Sequence, residues 1–500
     1  MPSERKQNIV MFPFMAQGHI IPFLGLALKL EKEKGFKITF INTPLNIKRL
    51  QPSIPPSSSI RLLEIPFNSS HLGLPPNAEN TETLALDLML RLIESSPSLK
   101  PAFEELICTL VNEQNGQPPF CIISDMFFGW SAEVAHKFGV FHAIFNAGGG
   151  YGMAVFHTTW LNLPHKTMTE ADSNDFPLPG FPKNYRFKSQ NLPGHQKAIT
   201  GPWYFGLEMF QEWLETDAML FNTVEEIDRM GLTYFRQQFS CHVWSIGPIL
   251  SPLGSKARGG KEAETTLNVC MEWLNSKAIT SVLYVAFGSQ SAPSESQTMQ
   301  LATALEASGH NFIWVVRSPS SFAGADRDFK DNEVEWLPRG FEQRVRESGR
   351  GLLVQEWGPQ MEILSHASIG AFMSHCGWNS VNEALSNGVP ILSWPMGAEQ
   401  PFNATMLEEE IGVAVGVANG SDCEVRHEDL VRKIELVMNG TGKGKDMKRK
   451  ACEAKEMIKS ASKDKKGFKG SSVKAVDEFL DAALQSWNRL QRSQEMSCTL

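Results

Sequence analysis

The sequence predicts an α/β protein built from two doubly wound parallel sheets, and three observations lead there. Short apolar runs recur along the chain, each followed by a helix-like stretch, which is the alternation of strand–helix units. Five hundred residues exceed what one core comfortably serves. Between the two groups of runs lies SPLGSKARGGKEAET, from Ser251 to Thr265, with no apolar period. The expected division is therefore 1–250 and 266–480, joined by a linker at 251–265 and followed at 481–500 by a helix end and a tail.

In the first half, Asn8 to Phe12, Lys37 to Ile41, Phe120 to Ser124 and Phe141 to Phe145 read as buried parallel strands. In the second half, Val282 to Phe287, Phe312 to Val316, Leu352 to Val354, Ile369 to Met373 and Pro390 to Trp394 do the same. Ligands of such sheets sit beyond the carboxyl ends of the strands. His19 follows the first strand there, after a Gln17-Gly18 turn and ahead of Pro22. A histidine in that place is suited to act as a base at neutral pH, and equally to a structural role near a helix start. Asp125 closes CIISD, where a partly desolvated carboxylate needs a partner; capping the next helix is its simplest use. Gly288 and Ser289 follow Val282 to Phe287 and suit either a phosphate contact or an ordinary hydroxyl turn.

The densest signal is Trp357 to Gln400, WGPQMEILSHASIGAFMSHCGWNSVNEALSNGVPILSWPMGAEQ. HCGWNS stands between an apolar strand and an amphipathic helix, so the free N–H groups and positive dipole end of the helix face the turn. Gly377 permits close approach of a phosphate. His375, Asn379 and Ser380 add side-chain donors, and Glu383, one turn on, can accept from a ribose diol. Trp357 offers a flat face for a base.

This segment resembles the plant secondary product glycosyltransferase box of the plant UDP-sugar-dependent glycosyltransferases (family 1). WxPQ, HCGWNS, NEAL, GVP and EQ stand in order, and the chain has the family's size. The resemblance implies the GT-B arrangement, two Rossmann-like doubly wound domains facing a central cleft, with the last helix, roughly 471–490, crossing back onto the first. It implies that His19 is the catalytic base and that Asp125 hydrogen-bonds its imidazole. By the same resemblance, Trp357 stacks on uracil and Gly358 holds it through the backbone. Gln360 and Glu383 contact the ribose. Ser289, His375, Asn379 and Ser380 contact the diphosphate. Trp378, Glu399 and Gln400 contact the sugar, with Gln400 pointing to glucose and Trp378 to a neutral hexose. His366 is expected only to pack or end a helix.

The implied reaction is inverting transfer of glucose from UDP-glucose to a hydroxyl of a small lipophilic acceptor such as a phenolic, flavonoid or terpenoid. The alternatives are another UDP-sugar, or a catalytically silent sugar-nucleotide-binding protein. UDP-sugar is then a co-substrate, and neither a cofactor nor a metal is expected. The chain departs from many relatives in two places. Gly358 stands where Ala is common, and NAGGGYG, from Asn146, lacks a hydroxyl expected after the Phe141 strand. That puts a contact to the sugar's 6-hydroxyl, near 147–150, in doubt and predicts extra room for the acceptor.

Composition excludes other classes. The net charge of −8 leaves no basic face for nucleic acid. The basic run from Lys445 to Lys466 alternates with acids and reads as a solvated helix face. Eight scattered cysteines without a C-x-x-C pair point to reduced thiols and a cytoplasmic protein. The polar start MPSERKQ reads as neither signal peptide nor membrane span, and a monomer is expected. Gly148 and Gly150 fail the G-x-G-x-x-G pattern because position 153 is Met. Asp326-Arg327-Asp328 reads as polar surface rather than a metal motif. Phe14, Met15, Met126, Phe127, Phe128, Trp130, Tyr151, Trp160 and Trp203 are the candidate lipophilic acceptor contacts, each equally able to be core.

Overall fold

The computed structural model describes residues 7–163, 175–192, 204–250, 261–317, 336–355 and 357–497. Asp326 to Asp328, Trp203 and positions 251–260 of the expected linker lie outside these residues.

The strands, in chain order, are β1 (Asn8–Phe12), β2 (Lys37–Asn42), β3 (Arg61–Glu64), β4 (Cys121–Asp125), β5 (Phe141–Asn146), β6 (Asp175–Pro177), β7 (Arg186–Lys188), β8 (Ala218–Phe221), β9 (His242–Ser245), β10 (Val282–Ala286), β11 (Asn311–Val316), β12 (Gly351–Gln355), β13 (Ile369–Ser374), β14 (Ile391–Ser393) and β15 (Ala414–Gly416). The first sheet has the order β3-β2-β1-β4-β5-β8-β9, and the second β12-β11-β10-β13-β14-β15. All their pairings are parallel. Both orders run outward from a first strand and then reverse, which is the doubly wound Rossmann pattern. The reversal falls between β1 and β4 in one sheet and between β10 and β13 in the other. Phe12 pairs with Ser124 across the first and Ala286 with Ser374 across the second, so the carboxyl ends of each pair lie level.

β1, β4 and β10 are buried along their whole length, as continuous apolar runs in a two-sided sheet must be. The core of the first sheet gathers Val10, Phe12, Ile41, Phe103, Ile122, Phe128 and Trp130. That of the second gathers Leu283, Val285, Leu301, Trp314, Met373, Leu392 and Ile434.

By its internal contacts the chain forms two compact units: 1–150 with 202–252 and 461–500, and 151–201 with 253–460. Three expected boundaries move. The linker cannot extend to 265, because the helix Lys261–Asn275 has begun and buries Cys270 and Leu274 four residues apart. The second domain cannot extend to 480, because the last helix, Ser471–Ser497, packs on the first sheet. There Phe479 lies 6.3 Å from the Phe141 ring and 6.0 Å from Trp244, and Trp487 lies 6.1 Å from Phe120. That helix also continues as far as Ser497, into the segment expected to be a tail. Residues 151–201 group with the second unit, where the β6–β7 hairpin sets Phe187 5.6 Å from Phe402. Among the described residues, no helix is long and apolar enough to cross a membrane.

Candidate active site

At the first switch point, His19 is the third residue of the helix Gln17–Lys29 and Asp125 is the last residue of β4. Level strand ends bring them together: Nδ1 of His19 lies 2.8 Å from Oδ2 of Asp125. The carboxylate is wholly buried, while the imidazole keeps 23% of its surface. A buried carboxylate accepts the Nδ1 proton, which leaves Nε2 as the basic nitrogen and stabilises the imidazolium. The other oxygen, Oδ1, accepts the Phe127 N–H at 3.2 Å and caps the short helix after β4. Asp125 thus contacts both the imidazole and the helix N-terminus, one oxygen each. Phe14 and Phe127 flank the imidazole at ring distances of 5.7 and 5.6 Å.

The other aromatic candidates fall mainly into the core. Phe14, Met15, Phe128 and Trp130 belong to the buried cluster of the first sheet, and Met126, Tyr151 and Trp160 are buried too. Among the described candidates, Phe127 is the one that keeps appreciable surface. Of the stretch 147–150 expected to leave extra room, Gly150 is closely surrounded. The Gly150 N–H donates to Asp228 Oδ2, and a Cβ on Gly150 would meet the Leu232 nitrogen at 3.1 Å. Neighbouring backbone fills the space a side chain would need.

At the second switch point, β13 ends at Ser374 and, after three intervening residues, the helix Trp378–Asn387 begins, with Gly377 as its N-cap. Cys376 takes a left-handed φ of 62°, held by its N–H on Ser374 Oγ at 3.1 Å. The His375 ring lies in a slot made by two glycines: a Cβ on Gly288 would come within 2.6 Å of its Nε2 and one on Gly377 within 2.4 Å. Gly288 also has φ +77°, which disfavours any other residue. Burial, aided by the Arg317 cation just past β11, pushes His375 down to about 4, so the ring is neutral at physiological pH. Its Nδ1 is buried and has no hydrogen-bond partner among the described residues. Ser289 is half-buried in the turn after β10.

Gln360 opens the helix Gln360–Ser365 and gathers the neighbouring residues. Its Nε2 donates to Ser380 Oγ at 2.9 Å and to Glu383 Oε2 at 2.7 Å, and its Oε1 accepts from the Tyr284 hydroxyl at 3.3 Å. Burial raises the Glu383 carboxyl to about 7. Trp357 is half-buried before this helix. Gly358 is tight: a Cβ there would lie 2.9 Å from Val315 Cγ2. Asn379 is half-exposed in the first turn of the Trp378 helix, whereas the Trp378 side chain itself is buried. Gln400 Oε1 accepts the Met396 and Gly397 N–H groups at 2.9 and 3.1 Å, so its amide N–H₂ is the part available to a ligand. Glu399 Oε1 accepts from Asn403 Nδ2 at 3.4 Å. His366 bridges Ser368 Oγ and Asn275 Oδ1 at a helix end, apart from this network.

Three participants escaped the sequence reading. Tyr284 looks like one more apolar strand residue, and nothing in LYVAF announces that its hydroxyl meets Gln360. Arg317 was hidden at the end of an apolar run. Asn403 reaches back to Cys376, 27 residues away, and only its place on the same helical stretch as Glu399 and Gln400 hints at it.

The donor-site stretch lies within residues 257–451, which match the family model described as UDP-glucoronosyl and UDP-glucosyl transferase. UDP-glycosyltransferase 92A1 of Arabidopsis thaliana is 44% identical over 489 residues, covering 96% of this chain and 98% of its own. The chain belongs to the plant UDP-glycosyltransferases. Crocetin glucosyltransferase 3 of Crocus sativus is 41% identical, covering 95% of this chain and 98% of its own. The crystal structure of Glycyrrhiza uralensis UGT73P12 complexed with glycyrrhetinic acid 3-O-monoglucuronide aligns with a TM-score of 0.81 at 26% identity over 99% of each chain. The fold of this UDP-glycosyltransferase is GT-B, two Rossmann-like α/β units.

Proposed function

We propose that this enzyme transfers glucose from UDP-glucose to a hydroxyl of a small lipophilic acceptor, with inversion at the anomeric carbon. The observation that carries the reading is the 2.8 Å pair of His19 and Asp125, because binding a sugar nucleotide needs no base. Nε2 of His19 takes the hydroxyl proton as the acceptor oxygen forms its bond to the anomeric carbon. The bond from that carbon to the diphosphate oxygen breaks, and UDP leaves. Asp125 stabilises the imidazolium and fixes its tautomer.

On the donor side Trp357 stacks on uracil beside the Gly358 backbone, and Gln360 and Glu383 hold the ribose. The N-terminus of the Trp378 helix, with Asn379, Ser380, Ser289 and the neutral His375, receives the diphosphate, and Gly377 allows its approach. The partnerless Nδ1 of His375 supports this, since leaving such a group unsatisfied costs about 1–3 kcal/mol until a ligand meets it. Glu399, Gln400 and the backbone at Trp378 take the sugar. Developing charge is met by helix N–H groups and Arg317, so the proposal includes no metal and no cofactor. We also propose a cytoplasmic monomer.

A lipophilic acceptor fits the aromatic rings flanking His19. The test is UDP release from UDP-glucose across a panel of phenolics, flavonoids and terpenoids, with UDP-galactose and UDP-glucuronate as competitors. Glucoside formation by the wild type is expected. A protein that binds UDP yet releases none with any acceptor would leave only the binding function.

A further inference from the structure

Asn403 is wholly buried in the helix Gln400–Thr405, and its side chain joins two parts of the donor site. Nδ2 donates to the Cys376 carbonyl at 3.0 Å and lies 3.4 Å from Glu399 Oε1. Both neighbours are acceptors, so the amide can face them only with its nitrogen. Cys376 is the left-handed residue just before the N-cap of the Trp378 helix, and Glu399 precedes Gln400. Oδ1 has no hydrogen-bond partner among the described residues. It lies against Gly152, where a Cβ would come within 2.0 Å of it, so this glycine is what makes room for the amide. From the other side the hairpin supports the same helix: Phe187 packs on Phe402, and Asn191 donates to Thr405 Oγ1 at 3.0 Å.

We propose that Asn403 is a positioning residue for the hexose of the sugar nucleotide: it fixes the distance between the turn that receives the diphosphate and the Glu399–Gln400 pair. A short helix tied to the turn by one buried amide transmits any displacement of that amide to both sugar contacts. UDP alone needs the turn but not the pair. Loss of Asn403 should therefore separate the two ligands, which a general loss of stability would not do. The inference rests on the donor-site reading of the preceding section.

The experiment compares wild type, Asn403→Leu, Asn403→Asp and Gly152→Ala. Calorimetry gives UDP affinity per competent site, and steady-state rates give kcat/KM for UDP-glucose and UDP-galactose. Asn403→Leu removes the donor at near-constant volume, Asn403→Asp presents an oxygen to two acceptors, and Gly152→Ala moves the amide without deleting it. For each variant, UDP affinity should stay within about threefold of wild type while kcat/KM for UDP-glucose falls about tenfold or more and the glucose preference narrows. Equal weakening of UDP and UDP-glucose, or an unchanged glucose preference, would overturn the proposal. If the wild type fails to bind UDP, the donor-site reading fails and this inference with it.

Discussion

His19 and His375 each lie at the switch point of their own sheet, His19 in the helix that follows β1 and His375 directly after β13, across the reversal from the counterpart of β1, and their surroundings are opposite. His19 keeps part of its surface and has a buried carboxylate on Nδ1 at 2.8 Å. His375 has two glycines against its ring, no carboxylate partner among the described residues, a cation in Arg317, and a proton affinity pushed down to about 4. One environment stabilises an imidazolium and the other forbids it. The fold supplies a switch point twice, and the neighbours decide the chemistry. A base is needed where a proton must be taken from a hydroxyl. A neutral, rigid ring serves where a diphosphate must be approached closely without competing for protons.

The comparison is broken most severely by removing the base. His19→Ala should lower kcat about 10²–10⁴-fold, while UDP affinity by calorimetry stays close to wild type. Asp125→Asn should also lose much activity, because its amide can hold the wrong tautomer. The double variant should be little worse than His19→Ala, since Asp125 acts through the imidazole. Multiplicative losses would show that Asp125 acts independently. A hydroxyl acceptor is required, because a thiol or carboxylate acceptor would hide the need for a base.

The opposite perturbation fills the slot of the other histidine. Gly377→Ala places a Cβ within 2.4 Å of His375 Nε2, so ring or turn must shift. Overpacking of this kind costs about 1–3 kcal/mol, which predicts UDP binding weaker by about 5- to 150-fold. The variant's kcat at saturating UDP-glucose should fall far less than in His19→Ala. Unchanged UDP affinity would mean that the slot does not hold the turn.

The contrast between the histidines was only half legible beforehand. β1, β4, β10 and β13 announce themselves as apolar runs, so both switch points and the residues just past them could be placed from the sequence. β3, β8, β9 and β15 did not, because RLLE, AMLF, HVWS and AVG are three or four residues long and carry no period that separates them from loop. Asp125 was seen as a choice between cap and partner, although a carboxylate has two oxygens and here contacts both the imidazole and the helix N-terminus. The charge state of His375 was not legible at all, since it depends on Gly288 and Arg317, which only the sheet brings alongside. Gly150 and Gly152, after β5, looked like open space for the same reason: what surrounds them, at Asp228, Leu232 and Asn403, comes from distant chain.

The finest test of the comparison uses pH on the donor side alone. Burial raises the Glu383 carboxyl to about 7, and Gln360 donates to one of its oxygens at 2.7 Å. An unfolded glutamate titrates near 4.5, so between about 4.5 and 7 the folded protein binds the extra proton and ionisation of this group subtracts from stability as pH rises. A ribose diol donates to the carboxylate and so favours the ionised form; binding should release the proton. UDP-glucose affinity is therefore expected to increase by several-fold, and by at most about tenfold per pH unit, as pH rises from about 5.5 to 7.5. UDP-glucose is the right probe because its diphosphate has no proton to lose in that range, whereas free UDP does. His375, at about 4, stays neutral across the window and adds nothing. His19 belongs to the other switch point and should not enter a binding measurement made without acceptor. Glu383→Gln should flatten the profile at reduced affinity, and His19→Ala should leave it intact. A slope that survives Glu383→Gln but disappears in His19→Ala would place the titrating group at the first switch point and undo the division of roles between the two.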